Sequence, residues 1–288
     1  MRSHGMTLVE LLVVLAILAL MATVAVTSTD VLLSQGRYEA TTRTLANVQD
    51  SVLGPPNARQ SDGTLISTGF VADLGGALVC TGTDSTGLSE LWALPGGISP
   101  FGLQATSDPD VVVPCGWRGP YWRLPAGQSG LLDGWGNQFN LLDSSGNPVA
   151  SGGTIATVQS NGSGSNGPYN APLSVSIQPP PIAVAGYIYM QSSSGSISNP
   201  SSGSQVYVRL FGPNPSTGGV QELLLTVTTG SDGVVSFAMP SGTAVYAPGF
   251  LRAYLGGSTS AAAASRSNIV QFLRSEAGIT LYLSSSGT

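Results

Sequence analysis

The pattern of apolar and polar positions divides the chain into stretches of different character. From Leu11 to Val26 it is apolar, with Thr23 the one mild exception. Met6–Val9 extends the run to about 20 residues, the length that spans a hydrocarbon core of ~30 Å. From Thr27 to Leu53 the pattern turns amphipathic. Val31, Leu32, Leu45, Val48 and Val52 recur at helical spacing, with Arg37, Glu39, Arg43 and Asp50 between them. Gly54-Pro55-Pro56 supplies the stop. This predicts one helix over 6–53, about 70 Å long at 1.5 Å per residue. Its first part, 6–26, is transmembrane or packed among like helices. Its second part carries a stripe for a head domain to cover, and Thr27-Ser28-Thr29 soften the middle.

Beyond the helix the periodicity shortens. Residues 54–168 are loop-rich with short strand candidates and hold all four tryptophans, Trp92, Trp117, Trp122 and Trp135. These are expected in the core against the helix, Trp135 above all, because each ring buries a large area. Phe139–Leu142 reads as a strand, Asp143–Asn147 as its turn and Ile155–Val158 as the return strand. A Gly/Ser/Asn linker over 161–172 and Pro179-Pro180-Pro181 mark a change of domain. Residues 169–288 then hold seven or eight short β-type runs, beginning with Leu173–Ile177, which predict a β-sandwich. The expected class is α+β: a long N-terminal helix packed by a small antiparallel-β head, then the sandwich.

Composition narrows the chemistry. Of 288 residues only 9% are charged, against about 25% ordinarily, and the net charge is −5. All ten basic residues are Arg, and His4 is the lone histidine. Histidine acid–base catalysis, a Ser-His-Asp triad, a lysine Schiff base and a histidine zinc site are excluded. Without clustered cations no nucleic-acid partner is expected. Asp108-Pro109-Asp110 reads as a surface turn rather than a glycosidase pair, and Asp62, Asp73 and Asp84 read as turn residues. No P-loop, dinucleotide fingerprint or nucleophile elbow is present, and the chain is expected not to be an enzyme. Cys80 and Cys115 are the only cysteines, and in a domain held outside the cytoplasm two thiols point to a disulfide.

Glu10 stands out inside the apolar block. A charge at the bilayer centre costs roughly 3 kcal/mol or more and normally has a partner or a function. A cut between Gly5 and Met6 would create a free amine at the helix start. Glu10 would neutralise that amine, either its own or that of a neighbouring chain, and the intermolecular pairing would set the register of packed helices. Gly5-Met6-Thr7-Leu8-Val9-Glu10-Leu11-Leu12 resembles the processing motif of type IV pilins and type II secretion pseudopilins. The resemblance implies removal of leader 1–5 by prepilin peptidase and N-methylation of Met6, a position where the family usually has Phe. It also implies polymerisation through the hydrophobic helix, with Glu10 meeting the amine of an adjacent subunit. Further on, Gly119-Pro120-Tyr121 followed by Asp133-Gly134-Trp135-Gly136-Asn137 resembles the head of the major pseudopilin, without the Pro that family has before the tryptophan. In that family a Gly-rich loop then binds calcium through Asp oxygens. The loop here, 160–167, has no carboxylate and offers Asn161 and backbone carbonyls alone, so no cofactor is expected. The resemblance places the chain in the inner membrane with a periplasmic head, then in a pseudopilus or a surface pilus. Its expected partners are other pilin-like subunits, prepilin peptidase and an inner-membrane assembly platform. The alternatives are a pilus subunit whose second domain works in adhesion or surface display, and a membrane-anchored binding module.

Overall fold

A computed structural model describes residues 8–55, 68–82, 84–164, 169–241, 243–258 and 265–284, with the side chains of 24–28 and 84–85 left aside. Helix α1 (Leu8–Leu53) is continuous through Thr27–Thr29. It ends where Gly54 takes φ 80° and donates its N–H to Asp50 O at 2.9 Å, the left-handed close that glycine permits.

The head wraps the last third of α1. It comprises α2 (Phe70–Leu74), a 3₁₀ segment (Asp84–Leu91), the hairpin β1 (Gly102–Ala105) and β2 (Val112–Cys115), and a sheet of β3 (Asn140–Leu142), β4 (Thr157–Ser160) and β5 (Leu173–Ser176). The pairing order is β3-β4-β5, antiparallel throughout. Leu173–Ser176 was expected to open the second domain. It instead completes the head sheet and packs on α1, because its alternate side chains Leu173 and Val175 join the head core. Leu45, Val48 and Val52 of α1 meet Phe70, Leu78, Leu88, Phe139 and Ile155 in that core. Val31 and Leu32, read as part of the same stripe, lie below the head and are exposed.

The second domain contains β6 (Val184–Gln191), β7 (Ile197–Ser198), β8 (Val206–Pro213), β9 (Val220–Thr229), β10 (Val235–Ala238), β11 (Gly249–Leu255), β12 (Ser265–Arg266), β13 (Val270–Phe272) and β14 (Glu276–Ser284). They form one nine-stranded sheet of order β12-β11-β8-β9-β10-β6-β14, with β13 on β11 and β7 on β6. All pairs are antiparallel except β6 with β14. In place of two separate facing sheets, this sheet rolls until its ends meet. Ser267 bridges Leu283, the Tyr282 N–H donates to Asn268 Oδ1 at 2.8 Å, and the Ser265 hydroxyl donates to Ser284 O. Val184, Ile188, Leu210, Leu225, Phe237, Leu251 and Leu281 fill the inside. Gly186 is required there, since a Cβ would overlap the Ile279 carbonyl where β14 bulges.

The two domains share a packed and ionic interface. Val111, Val113 and Cys115 of the head form one cluster with Phe211 and Tyr254 of the sheet. Asp108 was read as part of a surface turn, yet its side chain is fully buried. It accepts from Arg252 Nη1 at 2.9 Å on each oxygen and from the Tyr254 hydroxyl at 2.6 Å. A buried carboxylate requires such partners. Asp110 accepts from Arg252 at 2.8 Å and from Arg266 at 3.1 Å. Glu222 accepts from Arg209 at 2.6 Å and from the Ser107 N–H and hydroxyl at 2.6 Å each.

Candidate assembly site

The lower part of α1 is apolar on every side. Leu11, Leu12, Val13, Val14 and Leu15 are five successive residues that sweep past a full turn, and all are exposed, as are Ile17, Leu18, Leu20 and Met21. A helix hydrophobic all round belongs in a membrane or among other helices. Each such side chain gains roughly 1.5–3 kcal/mol on burial. Glu10 sits exposed in the first turn of the helix, where the dipole favours a carboxylate. Gly5 and Met6 lie outside the described residues. So do residues 6–7 and the side chains of 24–26 from the expected span. Among the described residues no helix is long and apolar enough to cross a membrane.

The head is fastened to α1 where the apolar stripe begins. Thr41 is fully buried; its hydroxyl donates to Arg37 O at 2.9 Å and accepts the Gly134 N–H at 2.8 Å. Gly134 lies against the helix backbone so closely that a Cβ would overlap the Arg37 carbonyl. Asp133 builds the turn that delivers it. Its Oδ1 accepts the N–H groups of Trp135 at 2.9 Å and Asn137 at 2.8 Å, and its Oδ2 accepts the Ser160 hydroxyl at 2.7 Å. The structure thus brings Asp133, Gly134, Gly136 and Asn137 into one turn docked on α1. Gly136 holds φ 84° there. Trp135 was expected foremost in the core but is half-exposed, while Trp92, Trp117 and Trp122 pack against the core. The turn explains this difference: it points a backbone at the helix, and the ring rides at the rim.

The second motif meets α1 nearer its C-terminal end, where the Ser51 hydroxyl donates to Tyr121 O at 3.2 Å. Gly119–Pro120 is a cis peptide. Gly119 lies against the Trp117 indole, leaving no room for a larger residue. Tyr121 packs edge-on to Phe70 and Trp117, at centroid distances of 5.8 and 6.0 Å. Its hydroxyl donates to Asp73 Oδ2 at 2.9 Å, and Arg118 pairs with Asp73 Oδ1 at 2.9 Å. Asp73 is therefore a buried anchor rather than a turn residue. Burial pushes its carboxyl up, against the pull of Arg118 and Tyr121. Asp84 opens the 3₁₀ segment, and Asp62 lies outside the described residues.

One site expectation comes out differently. Cys80 and Cys115 are both buried free thiols, not a disulfide. They belong to different cores: Cys80 faces the head core, where its thiol donates to Gly82 O at 3.0 Å, whereas Cys115 lines the interdomain cluster. Burial, reinforced by Asp73, pushes the Cys115 thiol up to about 11. In the Gly-rich loop, Asn161 Oδ1 accepts from Asn140 Nδ2 at 3.0 Å. Among the described residues no three His, Cys, Asp or Glu side chains gather as a metal-binding group.

Sequence reasoning missed Thr41, Asp73, Asp108 and Ser160. Only Thr41 left a signal, since 41, 45, 48 and 52 share one helical stripe.

Residues 1–26 match the prokaryotic N-terminal methylation motif, which is typical of type IV pilins and pseudopilins. The motif marks the chain as a pilin-like candidate for prepilin peptidase and for assembly into a pilin-like polymer. No curated protein and no solved structure matches the chain.

Proposed function

We propose that this chain is a structural subunit of a pilin-like filament. It is cut after Gly5, methylated on Met6 and assembled through the lower half of α1. The observation that carries the reading is the methylation motif at 1–26, whose residues from Leu11 to Met21 form an exposed helical stretch that is apolar on every side. Once trimmed, the chain begins with an amine about one turn from Glu10. In a stack of such helices the carboxylate of one subunit neutralises the amine of the next, removing a cost of roughly 3 kcal/mol or more for a charge in grease. The head and second domain are carried outside the helical core. The docked Asp133–Asn137 turn favours a pseudopilin of a type II secretion-like machine, because that is the part of the head that resembles the major pseudopilin. The second domain favours display at a filament surface in adhesion, as in a type IV pilus, because its bulk suits a free exterior better than a channel.

Two variants test the proposal. Gly5→Ala should leave the leader in place, so that intact-mass analysis finds no methylated Met6 terminus; an unchanged mature terminus would contradict the cut. Glu10→Ala should be cut and membrane-bound but yield no filaments by electron microscopy. Normal filaments from that variant would remove the pairing role.

A further inference from the structure

The outer surface of the rolled sheet has two parts. Over β8 and β11 it is covered by the head through Phe211, Arg252 and Tyr254. The head also meets the start of β9, where Val220 packs against the interdomain cluster and Ser107 donates to Glu222. From Thr226 of β9 across β10, β6 and β14 the same surface continues with Thr226, Thr228 and Tyr187 exposed. There the ladder sets Thr228 opposite Ser236, Ser236 opposite Tyr187, Tyr187 opposite Thr280 and Tyr189 opposite Tyr282. These side chains point outward, because their neighbours Ile188, Val235, Phe237, Leu281 and Leu283 are buried inside. Tyr187 is 45% exposed. The Tyr189 and Tyr282 rings lie 6.3 Å apart and only 31° from parallel. The hydroxyls of Tyr187, Tyr189 and Tyr282 make no hydrogen bond among the described residues. No charged side chain occupies these positions.

We propose that this face binds a neutral polysaccharide chain. Tyrosine offers a flat apolar body and a polar tip on a stiff side chain, a match for a sugar ring with its C–H faces and hydroxyl rim. Tyr187 and the Tyr189–Tyr282 pair supply the stacking platform. Ser236, Thr228 and Thr280 supply hydroxyls at its border. Charge selects the class of ligand: nucleic acids and acidic polysaccharides need cations on the surface that holds them, and this face has none. A protein partner would seat a larger apolar centre, where these rings are bordered by the hydroxyl residues Ser236, Thr228 and Thr280. Continuity with the head–sheet interface makes the patch part of a rigid surface rather than a loop. The site lies on the second domain away from α1, so it stands or falls separately from filament assembly.

The test uses the full chain in a detergent without sugar headgroups, with insoluble cellulose, chitin and starch as probes and alginate as the acidic comparison. The chain should be retained on at least one neutral polymer. Retention should fall about fivefold or more for each of Tyr187→Ala and Tyr189→Ala, the loss of one stacked ring, and persist in Tyr187→Phe. Retention on none of the neutral polymers, retention on alginate alone, or equal retention of the alanine variants would overturn the site. Should the alanine variants melt early, hydroxyl-radical footprinting of the unmodified chain decides. Protection of Tyr187, Tyr189 and Tyr282 by cellohexaose, chitohexaose or maltohexaose supports the site, and unchanged labelling with all three refutes it.

Discussion

At the scale of single residues, one hydroxyl and one missing side chain set the closest approach of the head to the helix. Thr41 both donates to its own helix and receives Gly134. Replacing it by valine keeps the volume and removes the acceptor, leaving a buried N–H without a partner. The expected cost is about 1–3 kcal/mol, read as a lower denaturation midpoint with an unchanged slope. Gly134→Ala should cost more than Thr41→Val, because the added methyl meets helix backbone, which has nowhere to move. If both variants match the parent chain, the turn is not what fastens the head. The sequence made the turn legible, since Asp-Gly-Trp-Gly-Asn has the residues a tight turn uses. It did not show that the turn faces α1, because Thr41 and Gly134 are far apart in the chain. Asp73 and Asp108 were misread for the same reason. A carboxylate near Gly or Pro looks like a turn residue until the fold brings Arg118 or Arg252 to it.

Among the elements, α1 and the strands of the second domain were readable because their periodicity is local. Helical spacing announced Leu45, Val48 and Val52, and short β-type runs announced the strand-rich second domain. What long-range pairing decides was not readable: β5 joins the head sheet, and the second sheet closes on itself through the Ser267–Leu283 bridge. The thiols show the same limit. Two cysteines in one domain suggest a pair, but Cys80 follows α2 into the head core and Cys115 ends β2 at the interdomain cluster. Both should resist iodoacetamide in the native protein, Cys115 doubly so because its thiol is pushed up to about 11. After unfolding without reductant both should be alkylated, giving a mass gain of two adducts. A gain of none would restore the disulfide.

Across the whole molecule, the ionic interface decides whether the second domain is a fixed arm of the head or a tethered one. Asp108→Ala would leave the nearly buried Arg252 with only Asp110, more than half exposed, as its carboxylate. Breaking a buried pair in this way costs roughly 3–5 kcal/mol, and the loss should appear as faster hydrogen exchange in β2 and β11 while β3 and β4 keep their protection. Acid should act in the same direction. The hydrogen bond from Arg252 holds the Asp110 carboxyl below its ordinary 3.8. Partial burial would raise Glu222, but bonds from Ser107 and Arg209 outweigh it and hold the group below 4.5. Carboxyls lowered in this way add stability that is complete above their ordinary values and lost as pH falls through the lower folded ones. Asp73 and Glu90 run the opposite way: burial raises both, so their contribution is greatest in acid and declines as pH rises through the raised values. Acidification below about pH 4 should therefore loosen β2 from β11 before it loosens the head core around α2. Added salt should bring this loosening to higher pH by screening the more exposed pairs. Simultaneous loss of protection in β2, β11 and α2 on the same acid titration would mean that the two domains melt as one unit and that these charges are not the joint between them.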